Sequence, residues 1–324
     1  FLHFDIGMDK DSNIAASYEL EFGNIEGELE NCDVVVEQSY YTQAQAHAMM
    51  EAYRAFTYMD HNGRLCIVSS TQIPFHVRRI VSKALEIPMS SVRVIKPRIG
   101  GGFGGKQTAS VEIFPAIVTL KTGKPAKLIY DRKETFSCTT SRHAMKIDVK
   151  IGADGEGNIK AIDMKGLSDT GAYGEHAWTV FSVVAQKTLP LYGKANAVRY
   201  GGNVMYTNKM PGGALRGYGV TQGNFALESA INELARKLDI DPTEIRQRNI
   251  IREGDRNPIF GMAKNGEINT LESSTLDKCI ERGKELIGWN EKYPSRKISE
   301  TKTRSVGMAI TMQGSGIAGI EIIP

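Results

Sequence analysis

The sequence predicts an α+β fold, mixed sheets with packed helices, and three observations carry that expectation. Segments of two-residue alternation (33–42 and 147–164) mark strands. Apolar stripes at helical spacing (77–85 and 227–238) mark helices. The two kinds of segment follow one another without the regular strand-helix rhythm of a parallel α/β sheet.

Taken in order, Asp33 to Thr42, Tyr53 to Met59 and Leu65 to Ser70 read as sheet, with His61-Asn62-Gly63 as a tight turn between the second and third. After Pro74, Val77, Ile80, Val81, Ala84 and Leu85 fall on one helical face, and Pro88 ends the helix. Val92 to Ile95 is a short buried strand that leads into Gly100-Gly101-Gly102-Phe103-Gly104-Gly105-Lys106. Ser110 to Lys121 follows as a helix interrupted by Pro115, so the arrangement reads strand, glycine loop, helix. Ile147, Val149 and Ile151 alternate with polar residues, and Asp154-Gly155 turns the chain into a second alternating run, Ile159 to Met164. Leu227, Ala230, Ile231, Leu234 and Leu238 form a helical stripe. Asp241-Pro242-Thr243-Glu244 then supplies an acidic cap, a proline at the first helical position and a carboxylate three residues on, the start signal for a helix over Ile245 to Ile251. A helix near Leu276 to Leu286 and a strand over Gly307 to Met312 complete the reading.

Composition narrows the function classes. The 324 residues, 41% hydrophobic and 24% charged, suit a folded chain of one large domain plus part of another. A net charge of +3 with both signs interspersed gives no basic stripe for a nucleic-acid backbone. No apolar run reaches the ~20 residues that cross a bilayer, and no leader pattern opens the chain. Cys32, Cys66, Cys138 and Cys279 lie far apart and the six histidines are dispersed, so the thiols read as reduced and structural in a cytoplasmic protein, without a protein-ligated metal. Phe1 at one end and the apolar run from Gly314 to Pro324 at the other read as the ends of a fragment.

The glycine loop imitates two phosphate signatures. Gly100-x-Gly102-x-x-Gly105 fits a dinucleotide fingerprint, but its acidic partner is missing at the required distance, Asp131 lying further on after a Tyr-ended strand. Gly100 to Lys106 has P-loop spacing, yet Gln107 stands where that motif needs a hydroxyl for magnesium. So many glycines suggest a backbone that approaches something large, with amides able to cradle anionic or oxo groups.

Four motifs in register make the reading specific: Ser70-Thr71-Gln72, Gly100 to Gln107, Gly213-Ala214-Leu215-Arg216-Gly217-Tyr218-Gly219, and Asn232-Glu233-Leu234-Ala235 running on through Asp241-Pro242 to Asn249 and Gly254-Asp255. In this order and spacing the chain resembles, from about Asp33 onward, the molybdenum-cofactor subunit of the xanthine dehydrogenase/aldehyde oxidase family, the molybdenum hydroxylases. The resemblance implies a linker over 1–22 from a preceding domain, a first molybdopterin-binding domain over 23–260 and the start of a second over 261–324.

In that family the metal is held by the dithiolene sulfurs of a pterin, which also occurs in the cytosine dinucleotide form, while the protein supplies hydrogen-bond donors around it. The resemblance gives Gln72, Gly102, Phe103, Gly104 and Arg216 as cofactor contacts, with Gln72, Phe103 and Arg216 beside the metal and none ligating it through a side chain. Gln107, Tyr218 and Thr311 are the residues it turns toward substrate. It implies oxidative hydroxylation of N-heteroaromatic, purine-like rings or aldehydes, oxygen from water, and electrons passed to iron–sulfur (2Fe–2S) and FAD centres on partner subunits or domains. The complete enzyme would be a dimer of heteromers. The general-base glutamate belongs to the second half of the subunit, so no catalytic acid or base falls in this chain and the chain alone is expected to be inactive.

Departures bear on substrate. Gln107 stands where xanthine-oxidising relatives commonly have Glu, Leu215 and Ile310 replace aromatics, and no arginine lies near Val183 and Val184. Two readings compete: a molybdopterin carrier or insertion chaperone, and a nucleotide-binding module built on the glycine loop.

Overall fold

The computed structural model describes residues 8–9, 11–256, 259 and 268–314. In chain order the main elements are β1 (Ile14–Phe22), α1 (Ile25–Glu30), β2 (Val34–Thr42), β3 (Arg54–Met59), β4 (Leu65–Ser69), α2 (Pro74–Ala84), β5 (Val92–Ile95), α3 (Ile113–Thr122), β6 (Ala126–Ile129), α4 (Arg132–Cys138), β7 (Ala144–Ala153), β8 (Ile159–Gly171), α5 (Ala177–Gln186), β9 (Ala197–Tyr206), α6 (Val220–Leu238), α7 (Pro242–Asn249) and α8 (Leu276–Ile287). The α+β expectation holds: helices pack on two mixed sheets.

The larger sheet runs β1-β9-β8-β7-β2, antiparallel throughout except for the parallel β8–β9 pair. Its main core lies on one face, where Met145, Ile147, Val149 and Ile151 of β7 meet Val180, Phe181 and Val184 of α5 and Leu227, Ile231 and Leu234 of α6. Helix α1 covers part of the other face. The smaller sheet runs β5-β4-β3-β6 with only β4–β5 parallel, and α2 and α3 pack against it. Its core joins Leu65 and Ile67 to Val77, Val81, Val92 and Ala116.

Both expected hairpins form. Asp60 and Arg64 close the β3–β4 turn with Gly63 at φ +72°, and Asp154 and Asn158 close the β7–β8 turn. The α6 stripe is buried as expected, and Asp241 caps α7 through a hydrogen bond from the Thr243 N–H.

Three expectations are corrected. Ile14–Phe22, read as part of a linker, is an edge strand paired residue by residue with β9. The helix after the glycine loop begins later than expected, at Ile113 instead of Ser110. Gly307 to Met312 joins no strand ladder among the described residues. The Ile310 N–H instead donates to the Glu228 carboxylate at 2.9 Å, which ties this segment to α6. Ile280 of α8 and Ile310 also belong to the main core, so no break in packing marks a boundary at 261 among the described residues.

The sequence reading also passed over α1, α4, α5 and β9. Helix α5 is apolar on nearly every side, so it shows no stripe against a polar face. Strand β9 is interrupted by Gly201-Gly202, and the reason is packing: a Cβ on Gly202 would lie 2.0 Å from the Gly166 carbonyl oxygen of β8.

Candidate functional site

The β4–α2 turn, the loop after β5 and the loop before α6 converge at the seam between the two sheets. Each is pinned by hydrogen bonds to another. The Gln72 N–H donates to the Lys106 carbonyl at 2.9 Å, and the Gln72 Oε1 accepts from the Gly104 N–H at 3.0 Å and the Lys106 N–H at 3.2 Å. The Arg216 N–H donates to the Phe103 carbonyl at 2.9 Å, and His47 Nε2 lies 2.6 Å from the Ala214 carbonyl oxygen.

The glycines answer to this convergence. A Cβ on Gly102 would sit 2.4 Å from Gln72 Oε1, on Gly104 2.7 Å from the Ala214 carbonyl oxygen, and on Gly105 2.6 Å from the Tyr53 hydroxyl. Gly101 and Gly104 also hold φ near +100°, which side chains resist. The expectation that the glycines clear space for something large is therefore replaced at these positions: contacts within the protein require them.

Beneath the loop, Glu51 accepts from the Gly100 N–H at 2.8 Å and from the Lys106 ammonium at 2.9 Å, with the Lys106 side chain 1% exposed. Burial disfavours the charge on Glu51, but the hydrogen bonds from Lys106 and Gly100 hold its carboxyl below the ordinary value.

Several polar groups of these loops are left without a protein partner among the described residues. With Oε1 occupied by two amides, the Gln72 NH2 has no acceptor among the described residues, and neither have the N–H groups of Gly101, Gly102 and Phe103. Phe103, at φ +52°, exposes 49% of its surface. Ser70 Oγ is buried without a hydrogen-bond partner. Buried polar groups in folded proteins are nearly always paired, so a donor-rich patch of this kind fits a ligand rich in acceptors.

Phe103, Leu215, Arg216, Thr311 and His47 line one cleft of about 580 Å³. Arg216 enters it by its side chain. Its N–H is taken by Phe103 and its carbonyl oxygen accepts from Arg142 Nη2 at 2.8 Å, so what it presents is an exposed guanidinium. Thr311 is held by the Asn224 side-chain amide of α6. Gln107 and Tyr218 stand together outside that lining: the Tyr218 hydroxyl donates to Gln107 Oε1 at 3.1 Å and lies 3.3 Å from His176 Nδ1. Burial pushes the Glu175 carboxyl up against a hydrogen bond from Thr108, and burial, then the neighbouring His76, holds His176 down.

Sequence reasoning missed Arg142, which clasps the loop before α6 through Tyr218 O and Thr221 Oγ1 as well as Arg216. It also missed His47, Glu51 and His176. None stands in a motif, and only folding brings them to the loops.

A family model described as "Molybdopterin cofactor-binding domain" matches residues 7–250. The chain is 40% identical over 96% of its length to a putative xanthine dehydrogenase molybdenum-binding subunit of Escherichia coli K12, covering 41% of that protein. It is 34% identical over 87% of its length to the nicotinate dehydrogenase large molybdopterin subunit of Eubacterium barkeri, covering 65% of it. The aldehyde oxidoreductase of Desulfovibrio gigas superposes with TM-score 0.78 at 28% identity, over 86% of this chain and 30% of that one. The chain thus spans less than half the length of the first of these relatives. With three quarters of the chain under the family model, the protein belongs to the molybdopterin cofactor-binding domain family.

Proposed function

We propose that this chain forms the first part of the molybdopterin cradle in an oxidative hydroxylase acting on N-heteroaromatic, purine-like rings or aldehydes. The observation that carries the reading is the fixed Gln72 amide: its oxygen is bound by the loop, so its NH2 is committed as an outward donor. Gly102, Phe103 and Gly104 frame the pterin and the metal's oxygen or sulfur ligands, with the Gly102 and Phe103 amides donating, and the Arg216 guanidinium offers a cation to the anionic edge of the cofactor. Gln107, Tyr218 and Thr311 face the substrate, the phenol ring of Tyr218 giving a flat aromatic a surface to pack on.

When bound, the molybdenum centre supplies two-electron oxidation with oxygen drawn from water. This chain's residues orient the cofactor, hold the substrate ring and donate hydrogen bonds. The general base comes from the remainder of the subunit, and iron–sulfur and FAD subunits take the electrons, in a dimer of heteromers located in the cytoplasm. Residues 23–260 form the first cofactor-binding domain and 261–324 begin the second.

The complete enzyme, assayed with purines and aldehydes and an artificial acceptor in water enriched in oxygen-18, should place the label in the product. Product oxygen from dioxygen, or no oxidation of either class by molybdenum-loaded enzyme, would contradict the proposal.

A further inference from the structure

We infer that His176 acts through Tyr218 to fix the amide of Gln107, so that the substrate pocket selects rings presenting a hydrogen-bond acceptor, such as a carbonyl oxygen or an unprotonated ring nitrogen, over rings presenting an amino group. The inference deepens the functional reading above and rests on it.

Three side chains form one chain of contacts. The Tyr218 hydroxyl is 3.1 Å from Gln107 Oε1 and 3.3 Å from His176 Nδ1. The His176 and Tyr218 rings meet edge to face, 5.6 Å between centroids and 88° between planes. Both residues hold positive φ, +52° for Tyr218 and +54° for His176, a conformation that costs a non-glycine side chain free energy and persists where surrounding structure enforces it. Arg142 grips the Tyr218 carbonyl oxygen at 3.1 Å, and His176 is fixed as the residue that opens α5.

A phenol carries a single proton to donate. Since Tyr218 donates to Gln107 Oε1, it must accept from His176, which places the imidazole proton on Nδ1. The contact to Glu175 does not fix the other nitrogen, because Nε2 stands 3.9 Å from Glu175 Oε1, beyond hydrogen-bond reach. With Oε1 occupied, Gln107 has its NH2 left to offer. An amide free to rotate would serve donors and acceptors alike, whereas a fixed one leaves a substrate amino group facing another donor. His176 is therefore a positioning residue for specificity. It acts through Tyr218 and is given no contact with substrate.

The chain would run backwards if Tyr218 donated to His176 and accepted from the Gln107 NH2, and Gln107 would then present its oxygen and favour amino-bearing rings. That alternative makes the direction testable.

In the complete enzyme, hypoxanthine, with a ring carbonyl, and adenine, with an amino group at the same position, are compared by equilibrium dialysis and by kcat/KM. The expected result is preference for hypoxanthine on the order of tenfold or more. His176→Phe keeps the ring and removes the nitrogen, so it should collapse that ratio toward unity with molybdenum content unchanged. A ratio unmoved by His176→Phe, or a wild-type preference for adenine, overturns the inference. The relay is also read without turnover from nitrogen-15 NMR of the complete subunit with labelled histidine, His176→Phe identifying the signal. A neutral ring protonated on Nδ1 supports the relay, and one protonated on Nε2 overturns it. An enzyme that holds no molybdenum and binds neither purine would sink the functional reading, and the NMR result would still decide the relay.

Discussion

Gln72 and Gly104 meet at 3.0 Å, side-chain oxygen to backbone N–H, and this contact sets the direction of the whole Gln72 amide. A second loop amide, that of Lys106, reaches the same oxygen at 3.2 Å. Reversing the amide would set two donors against a third, so the NH2 end points away from the loop.

In the proposed function Gln107 faces the substrate and not the cofactor. Gln107→Ala in the complete enzyme should change the ratio of kcat/KM between heterocycles while leaving molybdenum content intact. Kinetics on two ring substrates with metal analysis check it. Equal slowing of all substrates, or an emptied metal site, would move Gln107 into the cofactor contacts.

Gly104→Ala should destabilise by about 1–3 kcal/mol, since φ is +101° and the new Cβ would meet the Ala214 carbonyl oxygen at 2.7 Å. Gly63→Ala, also at positive φ (+72°) but with nothing within 4 Å, isolates the backbone cost alone and should lose about 1 kcal/mol. Urea unfolding of both variants compares them. Equal losses would mean that the two loops are less closely apposed than the contact requires.

Arg246 is fully buried against Glu228, which also accepts from the Tyr192 hydroxyl at 2.5 Å and from the Ile310 N–H. Glu228→Leu alone leaves a buried cation without its counter-ion and should cost about 3–5 kcal/mol, whereas the double variant Glu228→Leu/Arg246→Met should recover much of that loss. Thermal unfolding distinguishes the two. If the double variant is no more stable than the single, the Ile310 anchor, and not the ion pair, dominates.

Burial, reinforced by His176, holds His143 down to about 4, against an ordinary value of 6.5. Between those values the unfolded chain binds a proton that the folded chain does not, so stability rises with pH across the window. No stability is lost to this group above 6.5; the loss grows as the pH drops and reaches about 3 kcal/mol once pH 4 is reached. His143→Leu should flatten this part of a stability-against-pH curve measured in urea. An unchanged slope would assign the acid sensitivity elsewhere.

The sequence made the strands with clean alternation and the helices with one apolar face legible, because in both cases one face is buried and the other wet. It hid α5, which is buried nearly all round, and β9, whose Gly202 exists for Gly166. At the site, the three loops were legible as motifs, but their fasteners were not. Arg142, His47, Glu51 and His176 are ordinary residues in sequence and reach the loops only through tertiary contacts. Local pattern also misjudged the glycines, whose requirement comes from neighbours far along the chain.

The central claim, that the Gln72 NH2 is the donor the cradle offers its cofactor, is tested most directly by Gln72→Glu. The variant keeps an oxygen for the Gly104 and Lys106 amides and replaces the outward donor with a charged carboxylate oxygen. The complete enzyme should remain folded with turnover of every substrate reduced about ten- to hundredfold, the effect of losing a hydrogen bond of roughly 1.5–3 kcal/mol to a partly charged acceptor. Turnover unchanged across two chemically different substrates, at equal molybdenum content, would contradict the account.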